Sequence, residues 1–195
     1  MKKVEAKRGA KEKILETATG LFNSRGVNNV GIDEIIKRSG VAKMSLYNHF
    51  KSKDELILAF LDRISSRWIQ WMRQRVLKLA ARPEQRLLVF FDVLEEWFKT
   101  PDFRGCPFIN TTAEISDIKH PAYKKALNIK QGLLDYIREL ADAAGLSKAK
   151  NISSQILLLA DGAIIRAAMT RKSDSAKIAK QACATLMQQA KANKR

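Results

Sequence analysis

Gly40-Val41-Ala42-Lys43-Met44-Ser45-Leu46-Tyr47-Asn48-His49-Phe50-Lys51-Ser52-Lys53 reads as a tight turn, a short helix, a second turn and the cap of a longer helix. Gly40 suits the left-handed conformation that ends a preceding helix. The spacing predicts that Val41, Leu46 and Phe50 face inward. Lys43, Ser45, Tyr47, Asn48 and His49 are left for the outside. No acid occurs from Val41 to Lys53. A short helix with donors outward and lysines at its edge suits a DNA groove, where base edges and phosphates call for donors and positive charge. A polar, basic helix face is also what an ordinary solvated helix shows, so the flanking sequence has to decide.

Upstream, Ile14, Ala18, Leu21 and Phe22 recur at helical spacing over 10–25, with Gly26 as a stop. Ile32, Ile35 and Ile36 repeat the pattern over 32–39, and Gly40 ends it. Three helices in about 40 residues, the last two tightly joined, match a helix-turn-helix module. Downstream, Ser52 and Glu55 form a capping box, and Asp54 and Glu55 favour the positive end of the helix they open. That helix meets no breaker before Pro83 and carries an apolar stripe of Leu56, Ala59, Phe60, Ile64, Trp68, Trp71 and Met72. Its predicted length is about 40 Å, enough to connect the basic module to the rest of the chain. Pro83, Pro107 and Pro121 suit first helical positions, and Pro101 a loop. The helices predicted beyond are 84–99, 107–116, 121–144, 149–170 and 174–192, with Ser173 as a cap for the last. No stretch alternates with period two. The expectation is an all-α chain with a small module at 1–53 and a larger helical part at 54–195.

The chain has 195 residues, is 46% hydrophobic and carries a formal charge of +16. Such a balance favours polyanions, either nucleic acid or an anionic membrane surface. The charge is uneven. Residues 1–53 hold 12 basic and 5 acidic side chains, 54–170 hold 17 and 14, and 171–195 hold 7 and 1. A non-specific binder of nucleic acid or membrane would spread its charge along one face, and the near-neutral middle speaks against that alternative. Cys106 and Cys183 are 77 positions apart and form neither a metal-ligand spacing nor a disulfide framework. Met1-Lys2-Lys3 opens a polar stretch without the apolar core of a signal peptide, and a cytoplasmic location is expected. The longest apolar-rich run, Ile156 to Met169, is broken by Asp161 and Arg166. It is shorter than the ~20 residues of a spanning helix, so no membrane partner is expected. Two histidines, no Gly-rich phosphate loop and no nucleophile elbow leave no basis for an enzyme, and no cofactor or metal is expected.

Residues 11–60 resemble the DNA-binding domain of the tetracycline-repressor (TetR) family of bacterial transcription regulators. The resemblance is carried by Ile14, Ala18, Leu21, Phe22, Gly26, Ile35, Gly40, Val41, the run Leu46-Tyr47-Asn48-His49-Phe50, and Ser52-Lys53-Asp54-Glu55-Leu56. Arg104-Gly105-Cys106-Pro107-Phe108-Ile109-Asn110 is similar to a segment of one branch of the family. Members often have Ser or Thr where Gly31 and Ala42 stand here; Gly31 is an acceptable cap and Ala42 a poor one.

The resemblance implies a three-helix DNA-binding domain at 1–53 and a helical effector-binding and dimerisation domain at 54–195. It also implies a homodimer on a palindromic operator in double-stranded DNA and release by a small-molecule effector. By it, Lys43, Met44 and Asn48 face the groove, while Tyr47, His49 and Lys53 grip phosphates. Met44 is suited to a thymine methyl. Lys11, Lys13 and Lys37 are further phosphate candidates, and Lys2, Lys3, Lys7 and Arg8 add general attraction. The last two helices would pair with a second copy through Ile156, Leu159, Ala163, Ala167, Ile178, Ala182, Leu186 and Ala190. The aromatic load of the neutral middle suggests a ligand pocket. Its candidate lining is Trp68, Trp71, Phe90, Phe91, Cys106, Phe108 and Tyr123, with Asn110, Thr111, Glu114, His120 and Arg166 as orienting groups. Cys106 near a helix start is also a candidate thiol sensor; the plainer reading is a small buried side chain, as for Cys183.

Overall fold

The computed structural model describes residues 9–192, the side chain of residue 192 excepted. Lys2, Lys3, Lys7 and Arg8 lie outside the described residues. Within them the chain is all helical: α1 Ala10–Arg25, α2 Ile32–Ser39, α3 Lys43–His49, α4 Lys53–Leu79, α5 Pro83–Phe98, α6 Pro107–Glu114, α7 Pro121–Ala143, α8 Ala149–Thr170 and α9 Ser175–Ala192. Each of Pro83, Pro107 and Pro121 starts its helix, where the missing N–H has no partner to lose. Two compact units form. One takes residues up to Ser65 together with Pro107–Leu127, and the other takes Ser66–Cys106 together with residues from Asn128 on.

In the first unit α1, α2 and α3 pack on one another. Ile14, Ala18, Leu21, Phe22, Ile35, Leu46 and Phe50 are buried there, with Leu56, Ile57, Phe60 and Leu61 from the start of α4. The Phe22 and Phe60 rings meet edge to face at 5.5 Å, a favourable aromatic geometry. Gly40 ends α2 in the left-handed conformation at φ 64°, its N–H donating to the carbonyl of Ile36 at 3.1 Å. Neither Gly31 nor Ala42 supplies a side-chain cap. The Ser52 hydroxyl accepts the Glu55 N–H at 3.2 Å, whereas the Glu55 carboxylate reaches back to the N–H of Lys51 at 2.8 Å, one residue before the cap. The guanidinium of Arg63 on α4 binds both carboxylate oxygens of Glu12 on α1.

In the second unit α5 packs on α8 and α9, and α8 on α9. Leu87, Phe90, Phe91, Val93 and Leu94 bury one side of α5. Ala160, Ala163 and Ala167 of α8 and Ala176, Ala179 and Cys183 of α9 are buried small residues that let helices approach closely. The buried hydroxyl of Ser175 donates to the carbonyl of Ala163 at 2.8 Å. No hydrogen bond marks the Ser173 side chain as a cap of α9; it is the Ser173 carbonyl that accepts, from the Ala176 N–H at 3.3 Å. Burial pushes the Cys183 thiol up to about 12, so it stays protonated at neutral pH. Trp97 meets Trp68 at 5.1 Å and Phe103 at 5.0 Å. α8 is a continuous helix of 22 residues, long and apolar enough by length and composition to cross a bilayer, in contrast to the shorter run expected above. Its buried stripe packs on α5 and α9, and Asp161 is ion-paired with Lys130 of α7.

Arg75 holds Glu96 with two hydrogen bonds of 2.7 and 2.9 Å. The guanidinium keeps the Glu96 carboxyl below its usual range, against a smaller opposing effect of burial. A depressed folded-state value contributes stability above the unfolded carboxylate range and loses it as pH falls through the folded value. Thermal unfolding followed from about pH 6 to about pH 3 is therefore expected to show a shallower acid-side decline in Glu96→Gln than in the natural protein. In the first unit, Leu46→Ala removes a fully buried side chain and is expected to cost about 2–5 kcal/mol in denaturant unfolding. An unchanged unfolding midpoint would contradict the packing described for α3.

Candidate nucleic-acid interface

α3 is seven residues long, and Leu46 is its one buried side chain. With Phe50 also buried just beyond its end, the helix has no freedom to roll. The opposite face is thereby turned out: Met44 is 73% and Tyr47 42% exposed, and Lys43, Asn48 and His49 are exposed as well. Ser45 and Lys53 are half-buried. The Lys43 ammonium lies 3.8 Å from a carboxylate oxygen of Asp33, with both side chains in solvent. Such an exposed pair is worth little and can be exchanged for a phosphate. Lys11 places its ammonium 5.9 Å from the centre of the Phe50 ring, close to the end of α3. Lys13 and Lys37 are exposed on α1 and α2. Glu34 is engaged by Arg25 at 2.7 Å and Arg38 at 2.9 Å, which ties the end of α1 to α2.

The residues expected around a ligand come from both units. Phe108, Asn110 and Tyr123 belong to the first unit, and Trp68, Trp71, Phe90, Phe91, Cys106 and Arg166 to the second. Phe90 and Phe91 are core side chains in edge-to-face contact with each other at 5.4 Å. Cys106 and Phe108 are buried, and Trp68, Trp71 and Tyr123 are half-buried. The indole N–H of Trp68 is buried without an acceptor. Arg166 and Asn110 are exposed. Thr111 donates its hydroxyl to the carbonyl of Pro107 at 2.7 Å. His120 caps α7 by accepting the N–H of Ala122 on Nδ1 at 3.1 Å, which leaves its other nitrogen 3.4 Å from Asp54. Glu114 is bound to Asn28.

The expected pairing face needs correction. Ile156, Ala163, Ala167 and Ala190 are buried within the chain, because the stripe of α8 at 156, 160, 163 and 167 faces the protein's own interior. The opposite stripe is the exposed one: Leu158 at 72%, Ile165 at 45% and Met169 at 79%, with Gly162 between them. On α9, Ile178 is 57% exposed, and Ala182 and Leu186 are half-buried, as is Leu159 on α8. Leu158, Ile165 and Met169 share the spacing of the inward stripe, offset by about half a turn. A helix apolar on two opposite sides is the signal that would have revealed them.

The family model for bacterial regulatory proteins of the tetR family matches residues 14–60. A solved structure from Streptomyces avermitilis assigned to the TetR regulators is 31% identical, with 94% of this chain and 99% of that chain covered and a TM-score of 0.82. A TetR-family transcriptional regulator from Streptomyces coelicolor superposes with a TM-score of 0.83 at 27% identity, covering 93% of this chain and 95% of the other. Among curated relatives, the HTH-type transcriptional regulator LmrA of Bacillus subtilis is 28% identical over 168 residues, 80% of this chain and 85% of the relative. With the packing of α1–α3 and the outward face of α3, these likenesses establish that the chain belongs to the TetR family of bacterial regulatory proteins.

Proposed function

We propose that the chain is a ligand-responsive transcription regulator, acting as a repressor, that binds a near-palindromic DNA operator as a homodimer and leaves it when a small-molecule effector binds. The observation that carries this reading is α3, rolled by Leu46 so that Lys43, Met44, Tyr47, Asn48 and His49 face outward with no acid among them. Lys43, Met44 and Asn48 reach base edges, with the Met44 thioether against a thymine methyl. Ser45, Tyr47, His49 and Lys53, with Lys11 and Lys37, hold the flanking phosphates. A single seven-residue helix reads too few bases to be selective. Two copies related by a dyad read two half-sites one helical turn apart.

The surface that suits a second copy is the stripe Leu158, Gly162, Ile165 and Met169 with Ile178, Ala182 and Leu186 of α9. A self-complementary apolar face at a twofold axis is buried by the same face of its partner, and large exposed side chains at this spacing are otherwise costly to leave in water. The effector is assigned to the second unit, around the Trp68–Trp97–Phe103 cluster. There the buried indole N–H of Trp68 offers a donor to a ligand acceptor. An effector that releases DNA must bind the DNA-bound protein more weakly, with a coupling of roughly 1–3 kcal/mol in systems of this kind. The place of action is the bacterial cytoplasm, where the operator is.

Selection of duplexes from a random pool tests the reading. Enriched sequences are expected to share two half-sites related by a dyad; no enrichment over competitor DNA at moderate salt would refute it. Lys53→Gln is expected to weaken binding to all sequences and to reduce the slope of log affinity against log salt by about one. Leu158→Asp combined with Met169→Asp is expected to convert the dimer to a monomer in sedimentation equilibrium. A natural protein that is itself monomeric at micromolar concentration would overturn the pairing.

A further inference from the structure

We propose that Glu114 is a positioning residue for DNA binding: it latches the end of α6 to the turn between α1 and α2, and so passes the state of α6 to the reading helices. This rests on the reading above that α3 enters DNA. The contact joins residues 86 positions apart and is reciprocal. The Asn28 N–H donates to Glu114 Oε2 at 2.8 Å, and the Asn28 side-chain amide donates to the Glu114 carbonyl at 2.9 Å. Each bond satisfies a group that secondary structure leaves open, an amide in a turn and a carbonyl in the last turn of a helix. A carboxylate at a helix C-terminus opposes the helix dipole, so Glu114 does nothing for α6 taken alone. Its position makes sense through what it holds.

Gly26 completes the fit. A Cβ at this position would overlap Glu114 Oε1 and lie 2.7 Å from Cδ and Oε2. The carboxylate fills the space that any side chain at position 26 would take. Gly26 also stands at φ 85°, where a side chain is strained in its own right. Two further contacts join α7 and its cap to α4: His120 Nε2 lies 3.4 Å from Asp54, and Lys125 pairs with Asp62 at 2.7 Å. Both acids are more than half exposed, so solvent screens these pairs. The paired bonds to Asn28 are the directional ones. α6 is an eight-residue rod about 12 Å long that begins at Pro107, directly after Cys106, the last residue of that segment of the second unit. A shift at its start is carried to Asn28, four residues before α2.

Hydrogen exchange on the full-length protein tests the proposal, with thermal unfolding as a check that each variant is folded. Exchange of the Asn28 amide is expected to rise by about tenfold or more in Glu114→Ala, the loss of a bond to a charged acceptor. Glu114→Gln, which keeps an acceptor oxygen, is expected to fall between. A duplex selected by the natural protein is then added. It is expected to change exchange across 107–114 in the natural protein and to leave that segment unchanged in Glu114→Ala, whose affinity for the duplex shifts by threefold or more. Gly26→Ala is expected to weaken DNA binding less in the Glu114→Ala background than in the natural one. Asn28 exchange that is alike in natural protein and Glu114→Ala, or a response of 107–114 to DNA that survives the substitution, overturns the latch while the DNA-binding reading stands. Failure of the natural protein to select any duplex overturns both.

Discussion

The burial of one leucine governs the geometry on which the function depends. α3 has seven residues, too few to form a stable helix by itself, and it contributes a single fully buried side chain, Leu46. The helix exists because α1 and α2 present a core for that side chain to enter. Its rotation about its own axis is set by the same contact. Moving the buried position by one residue would turn the outward face by about 100° and bring Met44 and Asn48 away from where a groove would lie. The Gly40 turn and the burial of Phe50 secure the two ends of the same short element.

The charge pattern acts on a different scale. The +16 charge draws the protein to polyanions at long range and says nothing of where it docks. Docking is local, and α3 combines basic edges with a face of donors and one exposed thioether. Glu34, half-buried on α2 within this module, is taken up by Arg25 and Arg38, whereas Asp33 sits in solvent against Lys43. The module therefore presents a mostly cationic and hydrogen-bond-donating surface without leaving a buried charge unpaired. A membrane-binding helix would need a broad apolar face beside its lysines, and α3 has none.

The helices of the second unit show why composition alone misassigns a face. α8 carries apolar or small residues on two sides, and those at 156, 160, 163 and 167 and at 158, 162, 165 and 169 follow the same period. Periodicity registers both stripes and cannot rank them. Which stripe turns inward is settled by α5 and α9, whose own buried residues face one side of α8. The same holds for the aromatics: Phe90 and Phe91 have the character of pocket residues, yet both are buried on α5, which packs on α8 and α9.

Local signals in the chain were enough to place the helices. Prolines at first positions, glycines at left-handed stops and the Ser52–Glu55 cap act through the backbone of a few neighbouring residues. α3 was legible for the same reason, since the donors and the buried Leu46 and Phe50 lie within the eight residues from Lys43 to Phe50. Tertiary structure alone decided the pairing of Glu114 with Asn28 and the inward choice of Ile156 over Leu158. It also decided the division of the aromatics between two units. Each of these depends on which distant segments are neighbours, and a one-dimensional pattern carries no record of contacts across 86 positions.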